Sequence, residues 1–246
     1  MRKLNFKSGV FSAFDLKIMA CVFMLCDHAG YILFPDIMML RYIGRLSFPL
    51  FAYFIAEGCR YTKNKRRRFL SVFILGIVCE LTFIVFSGDY YGNILLTFSA
   101  SILLIHLLDS VKKAYFKSKK LFCLLWISFV FALIATFVYC KLLGLDYGFF
   151  GVLAPVFVVA FDNMGEWSVR LYERVDRKVI SLFMLTIPLV MIAFYEHITD
   201  YQILSLISVL LLAFYNGKRG AHSFKYGFYL FYPLHFVALQ GITLFM

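Results

Sequence analysis

Residues 15–68 read DLKIMACVFMLCDHAGYILFPDIMMLRYIGRLSFPLFAYFIAEGCRYTKNKRRR. Two apolar runs, 15–34 and 40–59, stand back to back across a short connection holding Pro35 and Asp36. A helix needs ~20 mostly apolar residues to cross a bilayer, and each run has that length. The pair ends at once in a block of cations: Arg60, Lys63, Lys65, Arg66, Arg67 and Arg68. An apolar hairpin closed by a dense basic run reads as two membrane helices, the second returning to the cytoplasmic side.

Further apolar runs follow at 69–86, 93–108, 121–143, 147–162, 179–196, 201–215 and 224–245. The sequence therefore predicts about nine spans, the sixth and eighth being short. Composition agrees: the 246 residues are 62% hydrophobic and only 16% charged, whereas a soluble domain is nearer half apolar and a quarter charged. A soluble fold of this size cannot cover so much apolar surface; a bilayer acts as its solvent instead. The expected fold is an all-α polytopic transmembrane bundle, one domain over 1–246, with short connections that make successive helices antiparallel neighbours. The one sizeable soluble element is the 162–178 loop, where a short amphipathic helix is expected on the inner surface.

Charge sets the expected orientation. Of the 25 Lys and Arg, 22 fall on one side: Arg2, Lys3, Lys7 and Lys17; the 60–68 run; five between Lys112 and Lys120; four between Arg170 and Lys178; and Lys218, Arg219 and Lys225. Arg41 and Lys141 fall on the other, and Arg45 lies inside a span. By the positive-inside rule the N-terminus is cytoplasmic and the C-terminus outside, in a bacterial inner membrane. The net charge of +11 thus marks a membrane face with its anionic lipids, not a nucleic-acid site. The first run holds Asp27 and His28 and has no small-residue cleavage site, so it reads as a retained span rather than a signal peptide. Cys21, Cys26, Cys59, Cys79, Cys123 and Cys140 lie in or beside apolar runs and read as small core residues.

Ionisable groups inside spans are expensive and face a protein interior or a wet cavity. Asp27 and His28 lie in the outward half of the first span. Histidine is the side chain best suited to general-base work near neutral pH. Adjacent helical residues point ~100° apart, so Asp27 need not touch His28. The pair reads either as functional or as a hydrogen-bonded lock. Arg45, one turn into the second span, is expected at the depth of His28, where a guanidinium needs a carboxylate, carbonyls or an anionic ligand. Arg41 lies nearer the interface, where it can snorkel. On the inner side Asp15, Glu57, Arg60, Tyr61, Lys63 and Asn64 can hold a nucleotide-like donor or simply anchor topology. Asp146 at the outer mouth is a candidate partner for substrate or Arg45. His235, just past Pro233 in the last run, is a second candidate polar centre. His106, His197 and His222 carry no expected role. Metal-ligand spacing, Walker loops, GxGxxG, HExxH and GxSxG are absent from the sequence.

The runs FDLKIMACVFMLCDHAGYILFP, RYIGRLSFPLFAYFIAEGCRYTKNKRR, NILLTFSASILLI, DYGFFGVL and FYPLHF, in that order, resemble the TraX family along most of the chain. The first 70 residues are the most specific part. The resemblance implies an integral-membrane acyltransferase: the namesake acetylates the N-terminus of the F-pilin subunit of conjugative plasmids. A membrane-embedded histidine and arginine are central in the wider group of multi-span acyltransferases. It therefore implies that His28 is the catalytic base and Arg45 positions an anion or substrate, while Asp27, Glu57 and Asp15 match the pattern without an assigned role. Acetyl-CoA or another acyl-CoA is the implied donor. The acceptor is an amine or hydroxyl of a pilin-like peptide, another peptide or a glycan. Two other readings stay open: a proton-coupled transporter or flippase using Asp27, His28, Arg45 and His235, and a non-catalytic assembly factor of a conjugation or secretion system.

Overall fold

The computed structural model describes residues 9–88, 90–195, 200–220 and 225–243. Among them the chain is built of helices: α1 (Ala13–Ile32), α2 (Met38–Gly44), α3 (Ser47–Tyr61), α4 (Lys65–Ser87), α5 (Ile94–Tyr115), α6 (Lys119–Leu143), α7 (Gly148–Val158), α8 (Glu166–Arg174), α9 (Arg177–Tyr195), a 3₁₀ helix (Asp200–Leu206), α10 (Ile207–Ala213) and α11 (Lys225–Thr243). Helix α3 runs through the middle, packed on α1, α5, α7, α9 and α10; α11 closes against α1 and α4.

Among the described residues four helices are long and apolar enough to cross a membrane: Lys65–Phe86, Ile94–Tyr115, Lys119–Leu143 and Arg177–Tyr195. Helix α6 makes the membrane assignment physical. Leu124, Ile127, Phe131, Ile134 and Leu142 are all more than half exposed on it. A helix apolar on every face and left uncovered by its own fold is solvated by lipid.

The other predicted spans take different forms. Helix α1 has 20 residues but carries Asp15, Lys17 and Asp27. The 40–59 run is two helices, α2 and α3, broken at Arg45 and Leu46. Pro49 has no N–H, so the carbonyl of Arg45 four residues earlier loses the bond that would join them. Ser208 Oγ donates to the neighbouring Leu46 carbonyl at 2.8 Å, and Ser47 Oγ donates to the Ala20 carbonyl at 2.9 Å. The break is thus tied to both α10 and α1. The 147–162 run is helical for only 11 residues, in α7. The 201–215 run divides into the 3₁₀ helix and α10. In the last run residues 224, 244 and 245 lie outside the described residues, as do Arg2, Lys3, Lys7, His197 and His222. The 162–178 loop does contain a short helix, α8, with Trp167 and Val169 exposed. Cys21, Cys59, Cys79 and Cys140 are buried; Cys123 is exposed on α6.

One end of the bundle gathers the basic connections. Lys65 pairs with Asp109 at 3.0 Å, and Lys112 Nζ donates to the Val159 carbonyl at 2.9 Å. Lys178 Nζ donates to the Tyr215 carbonyl at 2.6 Å. The two lysines beside α7 and α10 thus sit where helix C-termini expose carbonyls. The opposite end is fixed by Glu80, buried on α4. Its carboxylate accepts from the backbone N–H groups of Tyr91 (2.6 Å), Gly92 (3.1 Å) and Asn93 (3.0 Å), and from Asn93 Nδ2 (2.7 Å). Asn93 in turn caps α5, its Oδ1 accepting from Leu95 N at 3.1 Å. One acidic side chain therefore sets where α5 begins. Glu80→Ala strands four donors in a dry site and is expected to lower stability by on the order of 3 kcal/mol. Thermal unfolding in detergent measures it; an unchanged midpoint would mean the carboxylate is not holding the turn.

Candidate functional site

Gly44 ends α2 against Asp27 of α1; a Cβ at residue 44 would collide with the Asp27 side chain. This close approach puts Asp27 between two arginines. Its Oδ1 accepts from Arg45 Nη2 at 2.7 Å and forms an ion pair with Arg41 Nη1 at 3.0 Å. Arg41 Nη1 also reaches the Asp27 carbonyl at 3.1 Å. Arg45 is only 4% exposed. Its remaining contacts run to the Arg41 carbonyl (Nε, 3.4 Å) and Gln202 Oε1 (Nη1, 3.3 Å), with the Tyr201 ring 5.6 Å from its guanidinium carbon. Asp27 thus turns to the arginines and not to His28, as adjacent positions on a helix require. Arg41 joins the cluster rather than snorkelling.

His28, buried on α1, meets His235, buried on α11: Nδ1 of the first lies 2.6 Å from Nε2 of the second, with the ring planes 8° apart. The proton positions follow from the third partner. His235 Nδ1 is 2.8 Å from the Phe231 carbonyl, which can only accept, so Nδ1 carries the proton. In the neutral ring Nε2 is then an acceptor, and His28 must donate to it from Nδ1. His28 Nε2 is left with its lone pair and, among the described residues, no hydrogen-bond partner. The ring lies within electrostatic reach of both Arg41 and Arg45.

A family model described as "TraX protein" matches residues 12–243, which spans α1 through α11 and every residue of this cluster. The chain belongs to the TraX family. It is 27% identical to a probable fimbrial assembly protein, FimC of serogroup H1, from Dichelobacter nodosus, over 96% of this chain and 97% of that relative. It is 34% identical to an uncharacterized protein, RP591, of Rickettsia prowazekii (strain Madrid E), over 33% of this chain and 32% of that one. No solved structure matches.

The other candidate residues of this TraX chain divide by position. Asp146 sits in the loop between α6 and α7, its backbone held by Gly92 (N to O, 2.7 Å) and Thr97 (Oγ1 to O, 2.9 Å). It lines a 380 Å³ cleft with Tyr91, Lys141, Tyr147 and Phe149. The carboxylate makes no contact ion pair with Arg45; burial pushes it up to about 7 against the pull of that arginine. At the basic end Asp15 completes a capping box with Ser12, accepting from Ser12 N at 2.8 Å. Asn64 caps α4 through Arg67 N at 2.9 Å. Glu57 pairs with Arg60, whose other donors go to Asp162 (2.6 Å), the Val158 carbonyl (2.6 Å) and Ser181 (2.7 Å). Arg60 is therefore consumed by the fold, while Tyr61 and Lys63 are exposed.

Three residues central to these networks carried no expectation from sequence. Gln202 hides in an apolar run, Glu80 lies inside the 69–86 run, and Asp162 stands at the edge of another. Asp162 is the hub of the basic end. It also binds Tyr172 OH (2.8 Å) and Arg177 Nε (3.0 Å). Burial alone would raise its carboxyl, but the hydrogen bonds and charges of Arg177 and Arg60 hold it below the usual carboxylate range. A carboxyl lowered in the folded state stabilises fully above its unfolded value of ~3.9 and loses that contribution as pH falls through the folded value. Asp162→Asn should therefore cost a constant stability between about pH 5 and 8, and the gap should begin to close only below about pH 4, as pH falls through the folded value. A pH series of unfolding midpoints checks it; a gap that persists in acid contradicts the assignment.

Proposed function

We propose that this protein is a membrane-embedded acyltransferase that moves an acetyl group from cytoplasmic acetyl-CoA to an amine or hydroxyl, with His28 as general base. The observation that carries the reading is the Phe231–His235–His28 chain, which fixes one tautomer and leaves a base nitrogen bare within electrostatic reach of Arg41 and Arg45. A lone-pair nitrogen held this way is what abstraction of an acceptor proton requires.

The step balances. The acceptor N–H or O–H loses its proton to His28 Nε2 as its lone pair attacks the thioester carbon. The C=O π electrons move to oxygen, and Arg45 neutralises the oxyanion. Collapse re-forms C=O and breaks C–S, and the leaving thiolate takes the proton from the His28 imidazolium. Acyl-CoA and the acceptor become the acylated acceptor and free CoA.

The chain crosses the inner membrane about nine times in this reading, counting the broken α2–α3 unit and the short α7 and α10 as crossings, with its N-terminus and basic end in the cytoplasm. Exposed Tyr61 and Lys63, with Arg66 and Arg67, face the donor's phosphates; Arg60 and Asn64 serve the fold around them. Arg45 and Arg60 stand at opposite ends of α3, ~22 Å apart at 1.5 Å per residue. The donor's pantetheine arm has to cover that distance through the bundle. A fimbrial subunit is the first acceptor to try, because the Dichelobacter relative is named for fimbrial assembly. Purified protein in detergent, given acetyl-CoA with amines, peptides and sugars, is expected to release CoA. His28→Ala should slow release by about 10²-fold or more while remaining folded. Equal rates in a folded His28→Ala, or no acetyl-CoA binding by wild type, would contradict the proposal.

A further inference from the structure

The 3₁₀ helix and α10 carry Gln202, Ser205 and Ser208, three residues apart, in QILSLIS. At three residues per turn, such positions in a 3₁₀ segment lie above one another. All three are completely buried. Two of them reach the α2–α3 break: Gln202 Oε1 accepts from Arg45 Nη1, and Ser208 Oγ donates to Leu46. This fixes the amide orientation, because an arginine can only donate. Gln202 Nε2 then points its two N–H groups away from that bond, and among the described residues it has no hydrogen-bond partner; neither has Ser205 Oγ. Buried polar groups are paired in the large majority of cases, so two unpaired neighbours on one face, next to the buried arginine of the candidate site, need a cause.

We infer that Gln202 Nε2 is the second donor of an oxyanion subsite shared with Arg45, taking the acyl carbonyl oxygen of the donor; this rests on the acyltransferase reading above. Arg45 has five N–H groups, and three are engaged by Asp27, the Arg41 carbonyl and Gln202, which leaves two for the same oxygen. A donor that is dry and unpaired in the resting protein, and paired only when negative charge develops, favours the transition state selectively. Gln202 Nε2 is sealed from water in the resting state. The oxygen therefore arrives with the substrate, and the 3₁₀ turn, with its poorer hydrogen-bond geometry, is the part of the wall that yields. Ser205 Oγ borders the same subsite.

Gln202→Glu separates this role from a structural one. It keeps an oxygen for Arg45 and removes the N–H groups; Gln202→Met removes both. The assay is CoA release by the full-length protein in detergent, with unfolding midpoints and binding of a non-cleavable thioether analogue of acetyl-CoA measured alongside. The expected result is a 10²–10³-fold loss of kcat in both variants. Analogue binding and KM for acetyl-CoA should stay within about threefold of wild type, because the interaction belongs to the transition state. Wild-type kcat in folded Gln202→Glu would overturn the inference and leave the acyltransferase reading standing. Loss of analogue binding in step with kcat would make Gln202 a ground-state or structural contact and also overturn it. A wild type that neither binds nor turns over acetyl-CoA would overturn both.

Discussion

A guanidinium that is almost wholly buried among apolar helices has to be neutralised, and its N–H groups must find acceptors. Arg45 imposes that requirement on this chain. Its carboxylate comes from α1, through Asp27; a carbonyl comes from α2, through Arg41; an amide oxygen comes from the 3₁₀ helix, through Gln202. Three elements are thereby held around one side chain, the 3₁₀ helix from 157 positions away. The helix break at residues 45–46 places the side chain where all three can reach it, and Pro49 makes that break. Gly44 lets α1 come close enough for the pairing. Removing one partner of such a pair leaves a buried charge uncompensated, which costs far more than the pair itself contributes.

The polar groups then fall into two layers at the two ends of α3. One holds Asp27, Arg41, Arg45, the two histidines and Asp146. The other holds Glu57, Arg60, Asp162, Arg177 and the lysines that close helix C-termini. Between them α3 is lined by Leu50, Ala52, Phe54 and Ala56, all buried. In the second layer Arg60 and Asp162 spend their hydrogen bonds on the fold, while Arg68 Nε and both His106 nitrogens are buried there without partners among the described residues. The first leaves a histidine nitrogen, two arginine N–H groups and an amide NH₂ without partners. What sets the first layer apart is that this unspent capacity is gathered around a buried arginine.

Much of this was legible in sequence because hydropathy and charge are local properties. The apolar runs located the helices, and the cost of burying Asp27, His28, Arg45 and His235 singled out four residues that the fold brings to one end. The pairings themselves were not legible. His28 and His235 are 207 positions apart, and no pattern within either helix says that their rings share a proton. The break at Arg45 had a visible cause in Pro49, yet the run around it was apolar enough to read as one continuous span. Because bonded and free polar groups are alike in sequence, the structural bonds of Arg60 and Asn64 were not legible there. Their hydrogen bonds come from the 158–181 region and from Arg67, and only the fold reveals them. Gln202 was hidden by its apolar neighbours, although its spacing from Ser205 and Ser208 was there to be read.

The centre of this account is the bare Nε2 of His28, set by the Phe231 carbonyl through His235. Nitrogen NMR on protein labelled with ¹⁵N-histidine, assigned with His28→Ala and His235→Ala, observes the two tautomers directly. The account predicts that at neutral pH both rings carry their proton on Nδ1 and that His28 Nε2 is unprotonated. A His28 protonated on Nε2, with Nδ1 as the acceptor, would contradict it and remove the general base from the proposed chemistry.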